Sequence, residues 1–105
     1  MFGLYPNSYK EILSIFEKHK NIDEVIIFGS RAKGTYREGS DIDFAIIGNV
    51  TYDDIIKLKI DFDNSSIPYL IDVVVYESIT SKKLREHIQR VGKQFYQKNK
   101  TEAVN

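Results

Sequence analysis

Phe28-Gly29-Ser30-Arg31-Ala32-Lys33-Gly34-Thr35-Tyr36-Arg37-Glu38-Gly39-Ser40-Asp41-Ile42-Asp43 is the stretch that decides how this chain is read. A small, flexible Gly29-Ser30 turn stands ten residues before an Asp-x-Asp pair. The apolar run Val25-Ile26-Ile27-Phe28 leads into the turn, and Phe44-Ala45-Ile46-Ile47 follows the pair. Both runs read as buried strands. Side chains two apart on a strand share a face, so Asp41 and Asp43 project together while Ile42 and Phe44 turn into apolar packing.

Two carboxylates held that close repel each other, and crowding or burial raises a pKa unless a cation lies between them. Mg²⁺ resolves the conflict, because it prefers carboxylate and phosphate oxygens. Asp72, in the apolar stretch Leu70-Ile71-Asp72-Val73-Val74-Val75, is a third carboxylate from a neighbouring strand. An ionised Asp inside such a run is costly without a metal, Arg or Lys beside it. Three carboxylates suit a two-metal centre, in which one ion activates an attacking hydroxyl and the other neutralises a leaving pyrophosphate. Asp41, Asp43 and Asp72 are therefore expected to ligate metal, and Asp72 to accept the hydroxyl's proton. The Gly29-Ser30 turn, opening a short helical turn over Ser30 to Gly34, would offer N–H groups and the Ser30 hydroxyl to phosphates. Arg31 and Lys33 are candidates to add positive charge there. This is the equipment of nucleotidyl transfer.

Outward from the motif, apolar residues at Tyr9, Ile12, Leu13 and Phe16 predict a helix over Asn7 to Lys20, capped by Asn7 or Ser8, with Glu11 near its positive end. Glu24 to Phe28 and Asp41 to Ile47 are the first two strands, and Thr35 to Ser40 is a loop between them. Thr51 caps a helix over Tyr52 to Phe62, which Asn64-Ser65-Ser66 ends. Tyr69 to Tyr76 is the third strand. A last helix begins near Thr80 or Ser81, with the stripe Leu84, Ile88, Val91 and Phe95. Residues 97–105 read as a frayed polar tail. The order α-β-β-α-β-α implies an α/β (α+β) domain, a small mixed sheet flanked by helices. His19 and His87 read as ordinary surface residues on helices. Tyr9, Tyr69 and Tyr76 read as packing residues, and Tyr36, in the loop, as the tyrosine best placed for a nucleotide or partner.

The 105 residues amount to a single domain, 1–105. Lysine plus arginine and aspartate plus glutamate both number 15, which argues against strong nucleic-acid binding. Without cysteine, disulfides and thiolate metal sites are excluded. No segment approaches the about 18 apolar residues of a membrane span, and the N-terminus lacks the basic and apolar regions of a signal peptide. A cytoplasmic location is the expectation.

Gly29-Ser30, ten residues, then Asp41-Ile42-Asp43 between apolar runs, with the later Asp72, resembles the DNA polymerase beta-like nucleotidyltransferase superfamily. The fuller string from Phe28 to Gly34 and from Ser40 to Asp43 looks like its minimal nucleotidyltransferase branch. The resemblance runs from about Asn7 to Phe95, and its specific motif covers residues 28–47. It implies the polymerase beta-like fold and transfer of AMP from ATP with Mg²⁺. It also implies a partner, a small all-helical protein of the HEPN or nucleotidyltransferase-substrate-binding type, in a hetero-oligomer. In several such pairs the helical protein is a toxic ribonuclease, which the nucleotidyltransferase silences as antitoxin by AMPylating a tyrosine. Two other readings stand beside this one: an antitoxin that works by masking its partner without catalysis, and transfer to a small-molecule acceptor.

Overall fold

A computed structural model of the chain describes residues 2–37 and 39–98. Helix α1 (Pro6–Lys18) leads to strand β1 (Ile22–Phe28), the single-turn helix α2 (Ser30–Lys33) and strand β2 (Ile42–Gly48). Helix α3 (Tyr52–Asp63), strand β3 (Ile71–Val75), a 3-10 turn over Tyr76–Ser78, helix α4 (Lys82–Val91) and strand β4 (Lys93–Gln97) complete it. The small mixed sheet flanked by helices is present, with strand order β3-β2-β1-β4. β1 is antiparallel to both β2 and β4, whereas β3 runs parallel to β2. A parallel neighbour needs a crossover, and α3 lies in that connection.

Alternation along the strands separates two apolar layers. Val25 and Ile27 of β1 and Ile42, Phe44 and Ile46 of β2 meet Ile12 and Phe16 of α1 and Leu58 of α3. Phe28, Ala45 and Val74 face the other way and meet Leu84, Ile88 and Val91 of α4. At the centre of the larger layer the Phe16 ring stands edge-on to Phe44 at 5.1 Å and to Phe62 at 5.6 Å.

The structure corrects the sequence reading in several places. Phe95 does not continue the stripe of the last helix: α4 stops at Val91, and Phe95 is buried in β4, with its ring 4.9 Å from that of Phe44. Gly92 makes the break. It is extended (φ −65°, ψ 148°), and a Cβ there would run into the Ile88 carbonyl and the Ile26 side chain. The polar tail accordingly starts later: Gln97 belongs to β4, and Lys98 donates its backbone N–H to the Asp23 carbonyl and its Nζ to that of Lys20. The rest of the expected tail, 99–105, lies outside the described residues.

At the other end, α1 starts at Pro6 with Tyr5 as its cap, earlier than Asn7 or Ser8. Proline suits the first helical position because its missing N–H would have no partner there. Glu11 sits a turn further in and accepts from the Ser66 hydroxyl at 2.9 Å, tying α1 to the loop after α3. The Thr51 cap is present as a full capping box with Asp54. No helix among the described residues is long and apolar enough to cross a membrane.

Candidate active site

Strand register brings two of the three carboxylates together. Phe28 of β1 faces Asp43 of β2 across the antiparallel pair, and Asp43 lies beside Asp72 across the parallel pair. Neighbouring strands run about 5 Å apart, so the two carboxylates are adjacent on one face. That face is the one α4 covers, because Ile42 and Phe44, which alternate with Asp43, belong to the opposite layer. Asp41 is exposed and lies just before β2, where the Ile42 N–H donates to the Leu70 carbonyl at 2.9 Å and fastens the two strand beginnings together. Asp72 is exposed on the edge strand rather than enclosed by its apolar neighbours. Its water contact removes the desolvation cost that the sequence suggested.

Electrostatics mark Asp43 as the crowded member. Its carboxyl is raised above the ordinary aspartate value, chiefly by burial, then by Asp72 and Asp41; the His87 imidazole opposes the rise. Among the described residues no three acidic or histidine side chains are drawn tightly enough to hold an ion unaided. The donor set fits Mg²⁺ all the same, because Mg²⁺ is commonly held by one or two carboxylates with waters and substrate phosphates completing its shell.

Gly29 is the turn that meets this group. It has φ +76° and ψ −155°, and a Cβ there would collide with the Oδ2 of Asp43. Glycine is thus required twice, by the backbone angle and by the closeness of the carboxylate. Ser30 follows, half-buried at the start of α2, and Gly34 ends that turn in the left-handed conformation. Lys33 is exposed.

Arg31 has a different place from that expected of a phosphate contact. It is 3% exposed. Its Nε and Nη2 donate to the Ser40 carbonyl at 3.2 and 2.9 Å, and its Nη1 donates to the Phe2 carbonyl at 3.1 Å. The guanidinium lies over the rings of Tyr69 and Tyr36, 4.8 and 5.1 Å from their centroids. These contacts make Arg31 a clamp that fixes the segment leading into Asp41. Tyr36, the loop tyrosine expected to meet a nucleotide or partner, forms a wall of that clamp.

Both histidines depart from the surface role read in the sequence. His19 lies just past the end of α1, with its Nε2 2.7 Å from the Oδ2 of Asp61 on α3. His87, half-buried on α4, sets its ring edge-on to Phe28 at 6.2 Å, beside the carboxylates. Its i+3 spacing from Leu84 was the available sign that it faces the sheet. A groove of about 360 Å³ between α3 and the β3 edge of the sheet is lined by Asp41, Asp72, Lys59, Tyr69 and the exposed Leu70. A larger depression, about 600 Å³, runs between the end of α1 and α3 and includes none of the three carboxylates.

Comparison with known proteins identifies the family. The sequence profile of the family described as Polymerase beta, Nucleotidyltransferase matches residues 10–101. A Haemophilus influenzae protein named probable protein adenylyltransferase MntA is 37% identical over 76 residues, covering 70% of this chain and 66% of that protein. A similarly named protein of Methanocaldococcus jannaschii is 51% identical over 37 residues, 35% of this chain and 37% of its own. The chain therefore spans between about a third and two thirds of the curated relatives it matches. Among solved structures, a chain of a mutant toxin–antitoxin complex containing MntA superposes with a TM-score of 0.65 at 25% identity, over 96% of this chain and 79% of that one. By sequence and by fold, the chain belongs to the polymerase beta nucleotidyltransferase family.

Proposed function

We propose that this protein is a Mg²⁺-dependent nucleotidyltransferase that moves AMP from ATP to a hydroxyl of a partner protein, a tyrosine of a small helical HEPN-type or nucleotidyltransferase-substrate-binding protein, and thereby acts as an antitoxin in a hetero-oligomer. The observation that carries the reading is the row formed by Asp43 and Asp72 with Gly29 pressed against it. The names of the relatives support protein as acceptor, and the toxin–antitoxin neighbour supports the antitoxin role. The cysteine-free composition fits a cytoplasmic site of action.

In this reading Ser30 and the N–H groups of the Gly29-Ser30 turn hold the terminal phosphates, and the exposed Lys33 adds charge beside them. Asp41, Asp43 and Asp72 would hold two Mg²⁺, which supply charge neutralisation and activation of the acceptor oxygen when bound. The acceptor enters from the groove that Asp72 shares with Leu70 and Lys59. Its hydroxyl oxygen bonds to the α-phosphorus, the bond from that phosphorus to the β-phosphate bridge breaks, and pyrophosphate leaves. Asp72 takes the hydroxyl proton.

Intact-mass spectrometry of a co-expressed helical neighbour, incubated with this protein, ATP and Mg²⁺, tests the reading. One or more added AMP units are expected, absent with Asp43→Asn. A stable complex with no mass increase would instead favour masking without catalysis, and would move the search for activity to small-molecule acceptors.

A further inference from the structure

His87 belongs to the neighbourhood of the site, yet no role assigned above uses it. The row across the sheet runs Phe28, Asp43, Asp72, and the His87 ring stands on Phe28, at the end away from the acceptor groove. Phe28 is also the residue before Gly29, so this end of the row is the phosphate end. The imidazole is near enough to Asp43 to oppose the rise of its pKa. Ile88, the next residue, is buried beneath α4 and holds this part of the helix against the sheet. Among the described residues, neither a hydrogen bond nor an ion pair engages the ring nitrogens. A half-buried imidazole with unused nitrogens, fixed by an aromatic edge beside a phosphate-binding turn, is an available donor.

We propose that His87 donates a ring N–H to the terminal phosphates of the bound nucleotide, gripping the pyrophosphate part from the α4 side while the Gly29-Ser30 turn grips it from the other. The inference rests on the nucleotidyltransferase reading of the site. The ring carries an N–H in either protonation state, so the contact does not depend on titration. The ligand class is a nucleoside triphosphate or pyrophosphate, and a nucleoside monophosphate falls outside it.

Equilibrium binding of Mg·ATP, Mg·pyrophosphate and AMP to the full chain tests this, using wild type, His87→Ala, His87→Phe and His87→Gln. Loss of one hydrogen bond to a charged group weakens binding by about tenfold or more. His87→Ala is expected to weaken Mg·ATP and Mg·pyrophosphate by about that factor and to leave AMP within twofold. His87→Phe keeps a ring on Phe28 but has no donor, and is expected to match His87→Ala. His87→Gln keeps a donor without the ring, and is expected to recover most of the affinity. Recovery by Phe and not by Gln would show a packing role and overturn the proposal, as would unchanged affinity in His87→Ala. Equal weakening of all three ligands would overturn it too. A wild type that binds neither Mg·ATP nor Mg·pyrophosphate would instead sink the reading of the site itself.

Discussion

Asp43 occupies a position where folding and chemistry pull in opposite directions. Its carboxyl is raised by burial and by two like charges. A group whose folded pKa exceeds its unfolded value stabilises the fold only while protonated, and that contribution is lost as pH rises through the folded pKa. At neutral pH, without metal, the Asp43 carboxyl therefore opposes folding. Asp43→Asn is expected to abolish transfer yet raise the Tm of the metal-free protein at pH 7. The advantage should shrink as pH falls through the raised value toward the ordinary aspartate range and be gone below it, which thermal melts across pH will check. Gly29→Ala meets the same carboxylate from the other side. With φ at +76° and no room for a Cβ, it is expected to cost more than about 1 kcal/mol of stability, and its displacement of Asp43 should lower kcat. Denaturant titration and a transfer assay measure the two effects. Arg31→Lys keeps the charge but loses the forked geometry on Ser40. A loss of about 1–2 kcal/mol is expected, read in the same titration.

At the scale of elements, local chemistry was legible and long-range context was not. Thr51 with Asp54 three residues on is a capping box in sequence and in space. The motif strands were visible because Val25 to Phe28 and Phe44 to Ile47 are short, unbroken apolar runs. Phe95 misled, because its seven-residue spacing from Ile88 fits a helix as well as it fits a break followed by a strand. What decides is Gly92, packed so closely on Ile26 of β1 that no side chain fits, and a neighbour of that kind cannot be read from spacing. The three acidic positions could be proposed from the motif and from the lone charge in the third apolar run. The clamp made by Arg31 could not, since its partners, the Phe2 and Ser40 carbonyls, are far apart in the chain. For His87 the spacing from Leu84 pointed to the sheet, but only the fold brings α4 over Phe28.

For the molecule as a whole, the larger apolar layer supplies stability on one side of the sheet and the charged row occupies the other. β4 joins the two, because Phe95 enters the Phe16–Phe44 cluster while its strand pairs with β1, which leads into Gly29. Phe95→Ala is expected to cost about 3–5 kcal/mol, a large share of the about 5–15 kcal/mol typical of a whole domain. Chemical denaturation followed by circular dichroism gives the value. Transfer per folded molecule should survive, because the mutated ring lies across the sheet from the carboxylates.

The pairing of Asp43 with Asp72 ties activity to correct assembly. A slip of β3 by a single residue would turn Asp72 into the layer beneath α1 and α3 and bring Ile71 or Val73 out beside Asp43. Such a misfold would lose its core and its chemistry in the same movement. Specific activity in a preparation of this protein would then be a direct gauge of the fraction correctly folded, because no well-packed but misregistered population could dilute it.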